Sequence, residues 1–132
     1  MTSIIKVDEI QNKAGSTTLD ADKLPDMYSG SAKAWVSLNG TGTIALRDSF
    51  NIASIADEGT GDYTVNFSSN MSSTNYSGEA NRSSNGNSNP NYVVYLHELH
   101  IAVGSHRVKT NGATGGVIDS SHIFSCIHGD LA

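Results

Sequence analysis

His97 and His100 bracket Glu98 and Leu99, and two imidazoles beside a carboxylate are raw material for a metal centre. The zinc-peptidase motif, however, requires His-Glu-X-X-His on a helix, where residues four apart share a face. Here the second histidine comes one residue early. The surrounding run, 92–103, is rich in β-branched and aromatic residues and reads as a strand, on which His97 and His100 would point to opposite faces. No ion shared within one subunit is expected. The alternative is one histidine from each chain meeting on a threefold axis. Asp57, Glu58 and Asp62 could offer oxygen ligands to calcium, but their spacing fits no EF-hand, and hairpin turns attract acidic residues. They are read as turn residues, with no metal and no cofactor assigned.

Hydrolytic chemistry finds no better footing. A glycosidase needs two carboxylates held about 5–9.5 Å apart across a cleft. Asp48, Glu79, Glu98, Asp119 and Asp130 are the non-turn acids of the β domain, and no motif singles out a pair. Serines abound, yet no Gly-X-Ser-X-Gly elbow is present. Cys126 is the single cysteine, so no intrachain disulfide can form. Nothing basic adjoins it, and it is expected to be a small buried hydrophobe. The chain is not expected to be an enzyme.

Composition narrows the partners. The 132 residues carry a net charge of −5, with eight basic residues scattered singly, so no phosphate-neutralising footprint for nucleic acid exists. The opening has neither the basic nor the apolar region of a secretion signal, and no apolar stretch approaches the ~20 residues of a membrane helix, so no membrane insertion is expected. Asn39, Asn66, Asn70, Asn75 and Asn81 each head an Asn-X-Ser/Thr triplet, a frequency that a chain this rich in those residues reaches by chance.

The elements that must position these groups are short, and glycine and asparagine divide them, as in an all-β fold. Strands are expected at 34–39, 43–47, 50–56, 62–68, 74–80, 92–103, 106–110 and 122–128. Within the fourth, Tyr63, Val65 and Phe67 alternate onto one face. Serine and asparagine make up 15 of the 24 residues of 68–91, so 74–80 is read as an edge strand and 81–91 as a loop. Counting antiparallel reversals puts the connections 40–42, 57–61, 81–91 and 111–121 at one end. Residues 1–30 scatter Ile4, Ile5, Val7, Ile10, Leu19, Leu24 and Met27 too thinly for a core, so this segment should pack on copies of itself or on another protein.

Two blocks carry a family likeness. Residues 4–15, Ile-Ile-Lys-Val-Asp-Glu-Ile-Gln-Asn-Lys-Ala-Gly, and 34–52, Ala-Trp-Val-Ser-Leu-Asn-Gly-Thr-Gly-Thr-Ile-Ala-Leu-Arg-Asp-Ser-Phe-Asn-Ile, resemble small fibre proteins of marine cyanophages and related tailed bacteriophages. The block 57–67 and the closing Ile127-His128-Gly129-Asp130 are similar to that family as well, and the likeness covers roughly half the chain. It implies a virion protein assembled in the bacterial cytoplasm, a homotrimer, and an attachment segment ahead of a β domain.

The resulting expectation is an all-β chain: an antiparallel β-sandwich, jelly-roll-like, over 31–132, behind an extended N-terminal segment, 1–30. That segment would attach to other virion proteins and support trimerisation through Ile4, Ile5, Val7 and Ile10. Asn85, Asn87, Asn89, Asn111 and Thr114 are the candidates for contacting a host surface glycan or protein. An architectural role (collar, plug or capsid decoration) and a carbohydrate-binding module are the alternatives. The second of these requires exposed aromatics, which Trp35 and a few tyrosines could supply.

Overall fold

A computed structural model describes residues 9–11, 15, 18–20, 24–83, 93–112 and 114–132. The chain divides into two compact units, 1–31 and 32–132. In the first, β1 (Glu9–Gln11) pairs antiparallel with β2 (Thr18–Asp20), with Ile10 opposite Leu19. A seven-residue helix, α1 (Leu24–Gly30), follows with Pro25 in its first turn, where no intrahelical donor is lost. The sequence reading missed α1 because about two turns are too few to write a 3.6-residue period. Ile10 is exposed on β1, whereas Ile4, Ile5 and Val7 lie outside the described residues.

The second unit is an antiparallel β-sandwich of two four-stranded sheets. Its strands are β3 (Ala34–Asn39), β4 (Ala45–Phe50), β5 (Ile52–Gly59), β6 (Asp62–Phe67), β7 (Ser77–Arg82), β8 (Val93–Leu96), β9 (Ser105–Asn111) and β10 (Ile123–His128). The first sheet runs β4-β3-β10-β7 and the second β5-β6-β9-β8. The first and last strands lie side by side, and the chain crosses between sheets four times, which gives the fold its jelly-roll-like character.

Alternation builds the core. Val36 and Leu38 on β3 and Ile123 on β10 face Tyr63, Val65 and Val108 of the second sheet. Ala34, Phe67, Met71 and Ile127 form a smaller cluster toward the end where the chain enters β3. Tyr63, Val65 and Phe67 share the buried face, as the sequence alternation requires. The same parity corrects the reading of Cys126. Ile123, Ser125 and Ile127 point inward, so Cys126 is turned outward and half-buried, opposite Trp35 and Glu79. Burial, reinforced by the charge of Glu79, pushes its thiol pKa up.

The expected second and third strands shift by about two residues because the chain changes sheets at Asn51. This residue sits in the left-handed region at φ 58°, which asparagine tolerates better than most. Its amide donates to the carbonyls of Lys33 and Ser69, both at 3.0 Å, and its Oδ1 accepts from the Ser69 N–H at 2.7 Å. One side chain thus ties three segments at a corner. Asn51→Ala should cost about 2 kcal/mol, from lost hydrogen bonds and a strained φ. Asn51→Gly should recover only the strain part. Thermal unfolding of the two variants checks this, and equal melting temperatures for wild type and Asn51→Ala would rule the tie out.

The run 92–103 is not one strand. β8 stops at Leu96, and residues Glu98–His100 form a 3-10 turn before the chain reverses through Ala102–Ser105 into β9. The apolar residues beyond β8 no longer alternate toward the core, and Leu99 is 80% exposed. No helix among the described residues is long and apolar enough to cross a membrane.

Candidate functional site

The connections 40–44, 59–61 and 111–122 and both flanks of 84–92 converge at one end of the sandwich, as reversal counting expects. The strand pairings place Asn39, Asp62, Arg82, Val93, Asn111 and Ile123 all at that end. The edge strand β7 is what makes this work, since it carries the chain outward before 84–92.

Tyr63 locks this apex from below. Its buried hydroxyl lies 2.9 Å from the Gly40 carbonyl and 2.8 Å from Asp119 Oδ1, and the same Oδ1 accepts the Gly61 N–H at 2.8 Å. Burial, with the facing Asp119 carboxylate, pushes the Tyr63 hydroxyl pKa up, so it remains a neutral donor. A hydroxyl has one proton, so the two oxygens share it. The Gly40 N–H donates to Ser120 O at 2.9 Å, and Arg82 Nη1 donates to Ser120 Oγ at 2.5 Å. Asn39 knits the 40–44 turn through its amide, which donates to the carbonyls of Thr41 and Thr43. Three connections are therefore cross-braced into a rigid platform.

Two of the residues nominated as receptor contacts lie on this platform. Thr114 is exposed at the tip of the 112–116 turn. Asn111 ends β9, half-buried, with its Oδ1 enclosed and lacking a partner. Asn85, Asn87 and Asn89 lie outside the described residues.

The sheet faces hold what the sequence reading missed. On the outside of the second sheet, Asp62 accepts from Arg107 through Nε at 2.5 Å and Nη2 at 2.7 Å, and Lys109 Nζ lies 3.1 Å away. Burial raises the Asp62 carboxyl, but Arg107 and Lys109 outweigh it and hold its pKa below the ordinary value. Asp57 instead accepts the Gly59 N–H, and Glu58 accepts the Thr64 hydroxyl, so the three turn acids diverge into separate tasks.

Beside this ion pair, the expectation for the histidines is overturned. The 3-10 turn stacks residues three apart, so His97 and His100 meet with Nδ1 atoms 3.1 Å apart instead of facing opposite ways. Arg107 Nη1 approaches His100 Nε2 at 3.2 Å, and a guanidinium can only donate. The His100 tautomer that accepts from Arg107 is the one with its proton on Nδ1, toward His97. A metal-bound imidazole usually turns its second N–H toward an acceptor, and here that position faces a donor. Among the described residues no three His, Cys, Asp or Glu side chains gather at metal-ligand spacing. His97, with Tyr95 and Leu99, borders an open depression of about 370 Å³.

On the outside of the first sheet, Phe50 pairs with Trp35, Trp35 with Cys126, and Cys126 with Glu79. One step along, Asp48, Ser37, Phe124 and Asn81 form a parallel row. Phe50 and Phe124 are 50% and 40% exposed, so aromatic rings lie open on a sheet face. The signal was present in the alternation of 123–127, where two inward isoleucines force Phe124 outward. No family model matches the chain, nor does any curated protein or solved structure.

Proposed function

We propose that this chain is a structural virion fibre subunit, working as a homotrimer, whose sandwich presents its loop-bearing end to the host surface. The observation that carries the reading is the gathering of three connections and both flanks of 84–92 at one end of a braced scaffold, opposite the end where the chain enters at Lys33. Loops on a rigid scaffold are where recognition concentrates. The resemblance of 4–15 and 34–52 to small phage fibre proteins supports the same reading. Attachment through 1–30 fits a chain whose leading residues form a unit of their own. In a trimer, each contact can be weak while the particle adheres well, because the second and third contacts form at high effective concentration.

The test is host adsorption by particles whose 84–92 and 112–117 segments are replaced by short Gly-Ser links. Adsorption should fall at least about tenfold while immunogold labelling still finds the subunit on the particle. Unchanged adsorption would remove the receptor role and leave an architectural one.

A further inference from the structure

We propose that the outer face of the first sheet, between β7 and β10, is a binding site for one neutral pyranose ring of a glycan. The inference goes beyond the loop-end reading and does not depend on it. A depression of about 170 Å³ lies there, lined by Glu79, Asn81, Phe124 and Cys126 with the backbone between them. Pockets for drug-sized ligands run about 300–1,000 Å³, so this one suits a single ring. The register makes its walls: Glu79 and Asn81 on β7 stand opposite Cys126 and Phe124 on β10. β7 is the sheet edge, so the groove is approached from the side as well as from above.

The chemistry of the walls is what a sugar needs. Phe124 is open on this face and offers a ring against which the C–H face of a pyranose can lie. Trp35 sits diagonally behind it, and Phe50 beyond, so an aromatic strip leads away from the groove. Opposite Phe124 stand two polar heads with capacity to spare. Asn81 Oδ1 accepts the Arg82 N–H at 2.8 Å, leaving its amide hydrogens for a ligand. Glu79 has no hydrogen-bond partner among the described residues, and its oxygens can accept from two hydroxyls. An amide donor and a carboxylate acceptor set beside an aromatic ring match vicinal hydroxyls on a ring with an apolar face. Among the described residues Glu79 is the one carboxylate lining the groove, and no cation lines it, so uronic and sialic acids are repelled. The neutral class follows from that charge. A protein partner would instead have to bury this carboxylate and amide, at the cost that unpaired polar groups carry.

The test is a titration of the full-length, isotope-labelled protein with neutral and acidic methyl pyranosides, followed by amide chemical shifts. A neutral sugar should perturb residues 79–81 and 124–126 saturably, with a dissociation constant on the order of millimolar for one ring. Acidic sugars should leave them unmoved. Phe124→Ala and Asn81→Ala should each weaken binding at least about tenfold with unchanged thermal unfolding, and Phe124→Tyr should retain it. Absence of shifts with every neutral sugar overturns the proposal. Shifts confined to 111–121 overturn it too, while favouring the loop-end reading. If Phe124→Ala instead shrinks the particle mass in solution with no sugar bound by the wild type, the face belongs to a second copy of the chain and the proposal fails. Sugar binding that survives replacement of the loops, in particles whose adsorption is unchanged, sinks the loop-end reading and leaves this one standing.

Discussion

Lowering the pH from 6.5 to 4 is expected to cost the sandwich about 3 kcal/mol through His106 alone. This imidazole is 1% exposed, between Phe67, with ring centroids 5.3 Å apart, and Ser125, whose Oγ lies 2.8 Å from Nε2. Its Nδ1 is buried with no partner. The tautomer with the proton on Nε2 costs less, because it leaves a lone pair unmatched instead of an N–H. Protonation would put a charge in this apolar setting with a second donor and nothing to receive it. Burial accordingly lowers the pKa from 6.5 to about 4.

Since the folded value lies below the unfolded one, the unfolded chain binds the proton first as pH falls. Stability due to this group is therefore full above pH 6.5, declines through the interval, and levels off below about 4. Denaturant unfolding across that range is the measurement, with His106→Gln as the comparison. The variant should be less stable at pH 7, having lost the fit around Ser125, yet its profile should be flatter by about 3 kcal/mol. A wild-type profile without slope in this interval would refute the assignment.

Replacing Gly61 by alanine should cost about 3 kcal/mol or more, a large share of the stability of a domain this size. Gly61 lies at φ +64°, and an added Cβ would sit 2.6 Å from the carbonyl oxygens of both Thr110 and Ile118. Neither oxygen belongs to a side chain that can swing away. The Thr110 N–H donates to Gly61 O at 2.8 Å, the Ile118 N–H to Thr110 O at 3.1 Å, and the Gly61 N–H to Asp119. Left-handed strain and overpacking each contribute roughly 1–3 kcal/mol. The substitution would also push the 112–119 segment off the apex, so amide exchange at 110–120 should accelerate beyond what global destabilisation explains. Gly59, at φ +127° with open space around its absent side chain, supplies a control in which strain acts without collision. Equal losses at the two positions would show that the braced contact adds nothing.

Much of this was legible in the chain itself. Short runs with a period of two specified strands, and the alternation of 34–39, 62–67 and 123–127 specified which side chains meet in the core. Parity is a local property: once one residue of a strand is inward, its neighbours' faces follow. The order of reversals, and with it the gathering of connections at one end, came from the same local pattern plus the antiparallel rule. Tertiary structure decided what depends on residues far apart. β8 stops at Leu96 although β9 runs on from Val108 to Ser105, because the chain leaves the ladder into the 3-10 turn at Glu98–His100, and no feature of 92–103 by itself encodes that length. The encounter of His97 with His100 follows from the 3-10 turn that this stop permits. Asn51 was an ordinary polar residue until three segments met at it. Phe124, Trp35, Asn81 and Glu79 stand 35 to 124 in the sequence, and only the pairing of β10 with both β3 and β7 sets them side by side. Local spacing determines which face a residue takes, whereas strand order determines its neighbours on that face, and a site is made of neighbours.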